Sequence, residues 1–204
     1  MITLRLGNAH HKEEALLTEL LETLKEHPAS CDEVWFASEY GFPPLSVHRE
    51  NAKKMARAAA TVKKLSIRTS LQISNTLGHG EYMKCKDCSG LVREGSGAEH
   101  MVGPDGTVAA HCFCWNGEQF RQYTCETIRL YAAFGPHTVW FDDDLRPGNH
   151  DPVAFGCFCD NCIAKFNARH GSAFTREQLV REINFGDGSW REKYIAFVRE
   201  SLYD

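Results

Sequence analysis

Residues 139–166 read VWFDDDLRPGNHDPVAFGCFCDNCIAKF. The stretch opens on a β-branched and aromatic run, passes through Asp142, Asp143 and Asp144, and closes on Cys157, Cys159 and Cys162 at the mouth of a helical pattern. A strand that runs straight into carboxylates puts charged groups at a strand end, where parallel α/β folds gather their chemistry. Three thiols this close together are too dense for a set of small buried apolar side chains, and suit a metal that holds the loop. The fold then turns on whether strands and helices alternate through the rest of the chain.

They do. Residues 2–6 form a short β-rich run, after which Leu16, Leu17, Leu20, Leu21 and Leu24 share one helical stripe. A second strand is predicted over 33–38, followed by a loop with Gly41, Pro43 and Pro44 and a helix rich in Ala, Lys and Arg over 47–65. Residues 67–73 make a third strand. A glycine-rich segment over 75–111 follows with no sustained period, far longer than the usual connection of about 4–6 residues. Asn116 with Gln119 reads as the start of a helix running to about residue 134, and residues 137–141 as a fourth strand. Beyond the cysteines, Thr175 with Gln178 is a capping box ahead of Leu179, Val180 and Ile183. A last amphipathic helix over 190–202 carries Tyr194, Phe197, Val198 and Leu202.

Strands separated by helices must pair in parallel, so the predicted class is α/β. Four β/α units fit a small doubly wound sheet or half of a (β/α)8 barrel. The expectation is a single domain over 1–204, with an insertion over about 75–111 and a metal-bound loop over about 145–170. No G-x-G-x-x-G or G-x-x-x-x-G-K-[ST] pattern follows the first strand, which argues against a nucleotide-binding layer. Polar residues instead follow every strand: Asn8 and His10, then Glu39, then Asn75 and His79, then Asp142 to Asp144. In a barrel these four ends form one catalytic face.

Composition narrows the partners. With 23 basic and 27 acidic residues, a net charge of −4 and no polybasic run, the chain has no footprint for nucleic acid. No apolar run reaches about 18 residues, so no membrane span is expected. No export pattern precedes the first strand, and the expected location is cytoplasmic, where the nine cysteines stay reduced and free to act as thiolate ligands.

The carboxylates and thiols allow more than one chemistry. On a strand, Asp142 and Asp144 share a face and Asp143 takes the other, so two converge. Held close, they would raise one another's pKa, as suits a general acid, or attract a divalent cation. The structural alternative has Asp142 capping loop amides and Asp143 paired with Arg146. Cys157, Cys159 and Cys162 supply three of the four ligands that structural zinc requires, with a remote thiol as the fourth.

These residues resemble a known family. WFDDDLR followed by GCFCDNCIAKFNARHG is similar to glycoside hydrolase family 42, the β-galactosidases of the retaining barrel clan. There a strand-four motif ending Asp-Asn-Glu precedes a Cys-x-Cys-x-x-Cys zinc cluster. The similarity spans the third strand to residue 204; the first half agrees in architecture alone. The resemblance implies a glycoside-hydrolase barrel of which these are the first four units, carbohydrate as substrate and a structural zinc. It places the acid/base on Asp144, with Asp143 at the preceding asparagine position. Its zinc site takes a further cysteine from the loop after strand three, which falls on His111-Cys112-Phe113-Cys114 and favours Cys112 over Cys114. Asp144 is one methylene shorter than the family's glutamate. The family's nucleophile lies on the seventh strand, so the carboxylate that would attack the sugar, about 5–5.5 Å from the acid, has no counterpart among these residues.

Glu39, Asn75, His79 and Asn149 are the candidate sugar contacts beside Asp142, Asp143 and Asp144. The alternative functions are carbohydrate binding without turnover, or a zinc-stabilised assembly module: a homodimer, or a part of a longer chain, that covers the edges of the half barrel. Cys85 and Cys88 read as half of a second zinc site, completed by Cys114 with His111 or His100, or as a redox pair. Cys31 and Cys125 read as core. His10, His11, His48 and His150 read as solvated or capping residues with a possible sugar contact. Trp35 and Trp140 read as barrel core, and Trp115 as a stacking platform.

Overall fold

The computed structural model describes residues 1–74, 76–77, 89–91, 99–142 and 145–203. The fold is mixed α/β with a parallel sheet and, among the described residues, six helices. None of them is long and apolar enough to cross a membrane. The chain divides into two compact units, Met1–Thr76 with Asp87–Gly90 and Tyr123–Asp143, and Leu77–Lys86 with Leu91–Gln122 and Asp144–Asp204. Asn75, His79, Cys85, Cys88, Asp143 and Asp144 lie outside the described residues.

The first unit holds four parallel strands, β1 (Thr3–Arg5), β2 (Glu33–Ala37), β3 (Arg68–Ile73) and, numbered in chain order, β6 (Val139–Phe141), in the order β1-β2-β3-β6. Alternation along the strands decides what each face carries. Val34 and Phe36 of β2 and Leu71 and Ile73 of β3 turn to one side, where they bury against α1 (Glu14–Glu26) and α2 (Leu45–Lys63) through Leu20, Leu24, Met55, Ala58 and Val62. The leucine stripe expected over the first helix is the stripe that packs: Leu20 and Leu24 are buried, and Leu17 and Leu21 flank them.

The opposite face is polar and aromatic. Glu33 and Ser70, both buried, hydrogen-bond each other there. Trp35 stacks on Trp140 with ring centroids 4.2 Å apart, although β3 lies between their strands. Arg5 of β1 reaches Asp142, just past β6, at 3.6 Å. Three strand spacings of about 4.8 Å would separate these edges on a flat sheet. Contacts of this kind require the face to be concave.

The second unit contains two hairpins, one mostly within the segment read as glycine-rich loop and one within the segment read as metal-bound loop. β4 (His100–Val102) pairs antiparallel with β5 (Val108–Phe113), and β7 (Gly148–His150) with β8 (Val153–Phe155). The first turns at Gly103-Pro104-Asp105-Gly106, where Asp105 accepts from the Thr107 amide at 3.0 Å and Gly106 takes φ +88°. The helix α3 (Glu118–Ala132) starts two residues after Asn116, so Asn116 is not its cap, and the boundary between the units falls within it. Three helices follow, α4 (Asp160–His170), α5 (Arg176–Phe185) and α6 (Ser189–Tyr203). The expected capping box at α5 is present in both halves, Thr175 to the Gln178 amide and Gln178 back to the Thr175 amide. Phe166, Leu179, Tyr194 and Phe197 form the buried centre of these helices.

Candidate metal centre and strand-end residues

Cys157 follows β8, Cys159 caps α4 and Cys162 lies in its first turn; a fourth thiol arrives from the end of β5. It is Cys114. The sulfurs of Cys114, Cys157, Cys159 and Cys162 all lie within 4.8 Å of one another and all four residues are buried. Cys112, favoured by the resemblance, is also buried but stands outside this group. The reason is local. Cys112 belongs to β5, which ends at Phe113; Cys114 opens a turn closed by the Gly117 amide on its carbonyl at 2.9 Å. That turn sets the Cys114 sulfur 3.4 Å from Cys162 and 3.6 Å from Cys159.

Tetrahedral coordination with metal–sulfur bonds of about 2.3 Å needs sulfur–sulfur edges of about 3.8 Å, so the quartet fits one ion with little movement. Its surroundings suit thiolates. The Val102 amide donates to Cys157 at 3.4 Å, the Cys162 amide to Cys159 at 3.5 Å and the Asn116 side chain to Cys162 at 3.4 Å. Hydrogen bonding by Cys114 holds the Cys157 thiol well below the ordinary range and lowers that of Cys159. The same sharing of protons drives Cys114 up, through Cys157, and Cys162 up, through Cys114. Four adjacent sulfurs cannot all ionise without a cation, and a divalent ion is what would replace the retained protons.

Asn116 holds the quartet in place. Beyond its bond to Cys162 it reaches Ser201 at 3.3 Å, while its carbonyl accepts from Asn161 at 2.7 Å and Lys165 at 2.8 Å. Trp115 is not a stacking platform: it is buried, and its indole donates to Ser201 at 2.8 Å. Glu99 puts a carboxylate oxygen 3.8 Å from the Cys159 sulfur, and burial pushes its pKa up.

Polar side chains in the first unit tie the strand ends together. Asn8, past β1, donates to Glu39, past β2, at 3.2 Å, and Lys12 forms an ion pair with the same carboxylate. Asp142 takes a hydrogen bond from Gln72 of β3 at 3.1 Å besides its contact with Arg5. It therefore pairs across the sheet. Asn149 is exposed on β7 with φ +67°.

Behind Glu39 lies a network that sequence reasoning missed. His11 and His48, expected to be solvated, are 4% and 2% exposed. Tyr123 donates to the Pro43 carbonyl at 2.6 Å, so it must accept from His48 Nε2 at 2.6 Å; His48 Nδ1 is then the acceptor for Tyr131 at 3.1 Å. Tyr131 accepts in turn from the Glu39 amide and from Asn51, both at 3.1 Å, and Asn51 accepts from His11 at 2.7 Å. The bond from Tyr131 needs His48 neutral, and burial lowers both His11 and His48 to about 4. His150 is buried as well and bonds the Arg146 carbonyl at 2.8 Å; His10 stays at the surface near the Gly7 carbonyl. Cys31 is buried, but Cys125, expected in the core, is exposed.

A comparison with protein-family models finds no match, and neither does one with curated proteins.

Proposed function

We propose that the chain is a glycoside-hydrolase-like, carbohydrate-active protein whose second unit is held by one structural zinc on Cys114, Cys157, Cys159 and Cys162. Four sulfur ligands fill a tetrahedron and leave no open position, so the ion's part is structural. It fastens the segment after β3 to the segment after β6 through side chains within one unit. Reduced thiolates of this kind belong in a reducing, cytoplasmic compartment.

One observation carries the carbohydrate reading: the carboxylates Glu39 and Asp142 stand just past the C-terminal ends of parallel strands, each held by polar side chains from neighbouring strands. Binding sites in such sheets gather at these ends. A concave face with Trp35 on Trp140 adds an aromatic surface that suits a sugar ring. On this reading Asp144 is the acid/base, and Asp142, Asp143, Glu39, Asn75, His79 and Asn149 are the further polar candidates. On this reading no residue of 1–204 is assigned the part of the attacking carboxylate.

The test is hydrolysis of an aryl β-galactoside by the full-length protein as the cell makes it. Asp144→Asn is expected to cut turnover by about 10²-fold or more with substrate binding retained, as loss of a general acid does. Turnover equal to that of the unaltered protein removes Asp144 from the mechanism.

A further inference from the structure

The helix α6 carries two apolar faces. Tyr194 and Phe197 bury one of them against Phe166 of α4. Ile195, Arg199 and Leu202, at i, i+4 and i+7, stand on the neighbouring face, where the helix walls a groove of about 520 Å³. The remaining wall comes from Leu145 and Pro147, between β6 and β7, and from Phe155 of β8. Both walls lie in the second unit. Leu145, Phe155 and Ile195 are 41%, 37% and 54% exposed, so this apolar surface stands in water.

The charge on the groove has one sign. Arg146 and Arg199 line it, and among the described residues that do so none is acidic. Glu200, next to Arg199 in sequence, pairs with Arg169, and among the described residues no carboxylate pairs with Arg199. A concave apolar surface of this volume with a few charged groups is what a small-molecule site presents. The site shares no residue with the sulfur quartet or the strand-end carboxylates.

We propose that this groove binds a small amphipathic anion, an alkyl body that carries one carboxylate. The body lies along Leu145, Phe155, Ile195 and Leu202, where each methylene leaves water. The head meets Arg199, whose planar fork takes a carboxylate through two parallel hydrogen bonds, and the apolar walls strengthen that bond by thinning the water around it. A cavity of this size takes one such molecule whole, so the ligand is a free acid in solution and not a lipid surface.

Isothermal titration of the full-length protein with octanoate, against octanol as the uncharged probe, tests this. The expected result is one octanoate per chain, with affinity rising roughly threefold for each methylene from hexanoate to octanoate. Octanol should bind about tenfold or more weaker, as the loss of a charge-assisted hydrogen bond requires. Arg199→Glu, a change at an exposed position, should weaken octanoate by about the same factor and leave octanol, metal content and circular dichroism unaltered. No binding of octanoate at millimolar concentration overturns the proposal, as it would if other parts of the protein already filled the groove. Octanol that binds as tightly as octanoate overturns it, and so does an Arg199→Glu protein that binds octanoate unchanged. Association with phosphatidylglycerol vesicles but not with monomeric octanoate would do the same.

Discussion

Cys162→Ser is expected to lose the bound metal and to destabilise the second unit by about 4 kcal/mol or more, the range reached when a structural metal is lost. Cys162 is fully buried, accepts from Asn116 and touches Cys114 at 3.4 Å, so a serine there leaves three thiolates and a buried hydroxyl around an ion that needs four ligands. For a chain of this length such a loss lowers the melting temperature by roughly 10 °C. Cys112→Ser, two residues from Cys114 but outside the quartet, should leave metal content unchanged. Calorimetry with metal analysis on both variants checks the contrast.

The second large effect is acid sensitivity. His11 and His48 titrate near 4 in the folded protein against about 6.5 unfolded, so the unfolded chain binds protons that the native network refuses. Above pH 7 both states are neutral and the pair costs nothing. As pH falls from about 6.5 to 4, stability drops by on the order of 3 kcal/mol for each histidine. The cause is burial, which strips water from the imidazolium; at His48 a protonated ring would in addition present a donor to Tyr131, which already accepts from Asn51 and the Glu39 amide. Urea titrations at stepped pH should show this slope. His48→Gln should be less stable at pH 7 and lose about half of it; a slope unchanged in the variant removes His48 from the effect.

Much of the fold was legible because its signals are local. The first leucine stripe, the strands around Val34 and Leu71 and the Thr175–Gln178 box each specify an element within a few residues, and all appear in place. The hairpins were not legible: three of their four strands have three residues, too few to show a period, and the turn at Gly103–Gly106 reads as loop chemistry. In the metal centre, three ligands followed from their spacing. The fourth did not, because Cys112 and Cys114 have the same strand parity, and only the end of β5 at Phe113 decides between them. His48 and Tyr131 stand 83 residues apart and meet only through packing, so their burial left no trace in the pattern around either. Trp115 misled for the same reason, since the hydroxyl that takes its indole proton belongs to Ser201.

X-ray absorption at the zinc edge, on protein purified without chelator, bears most directly on the proposed centre. One zinc per chain with four sulfur neighbours at about 2.3 Å is the expected result. Protein that carries no metal, or a shell containing nitrogen or oxygen in place of one sulfur, would contradict it.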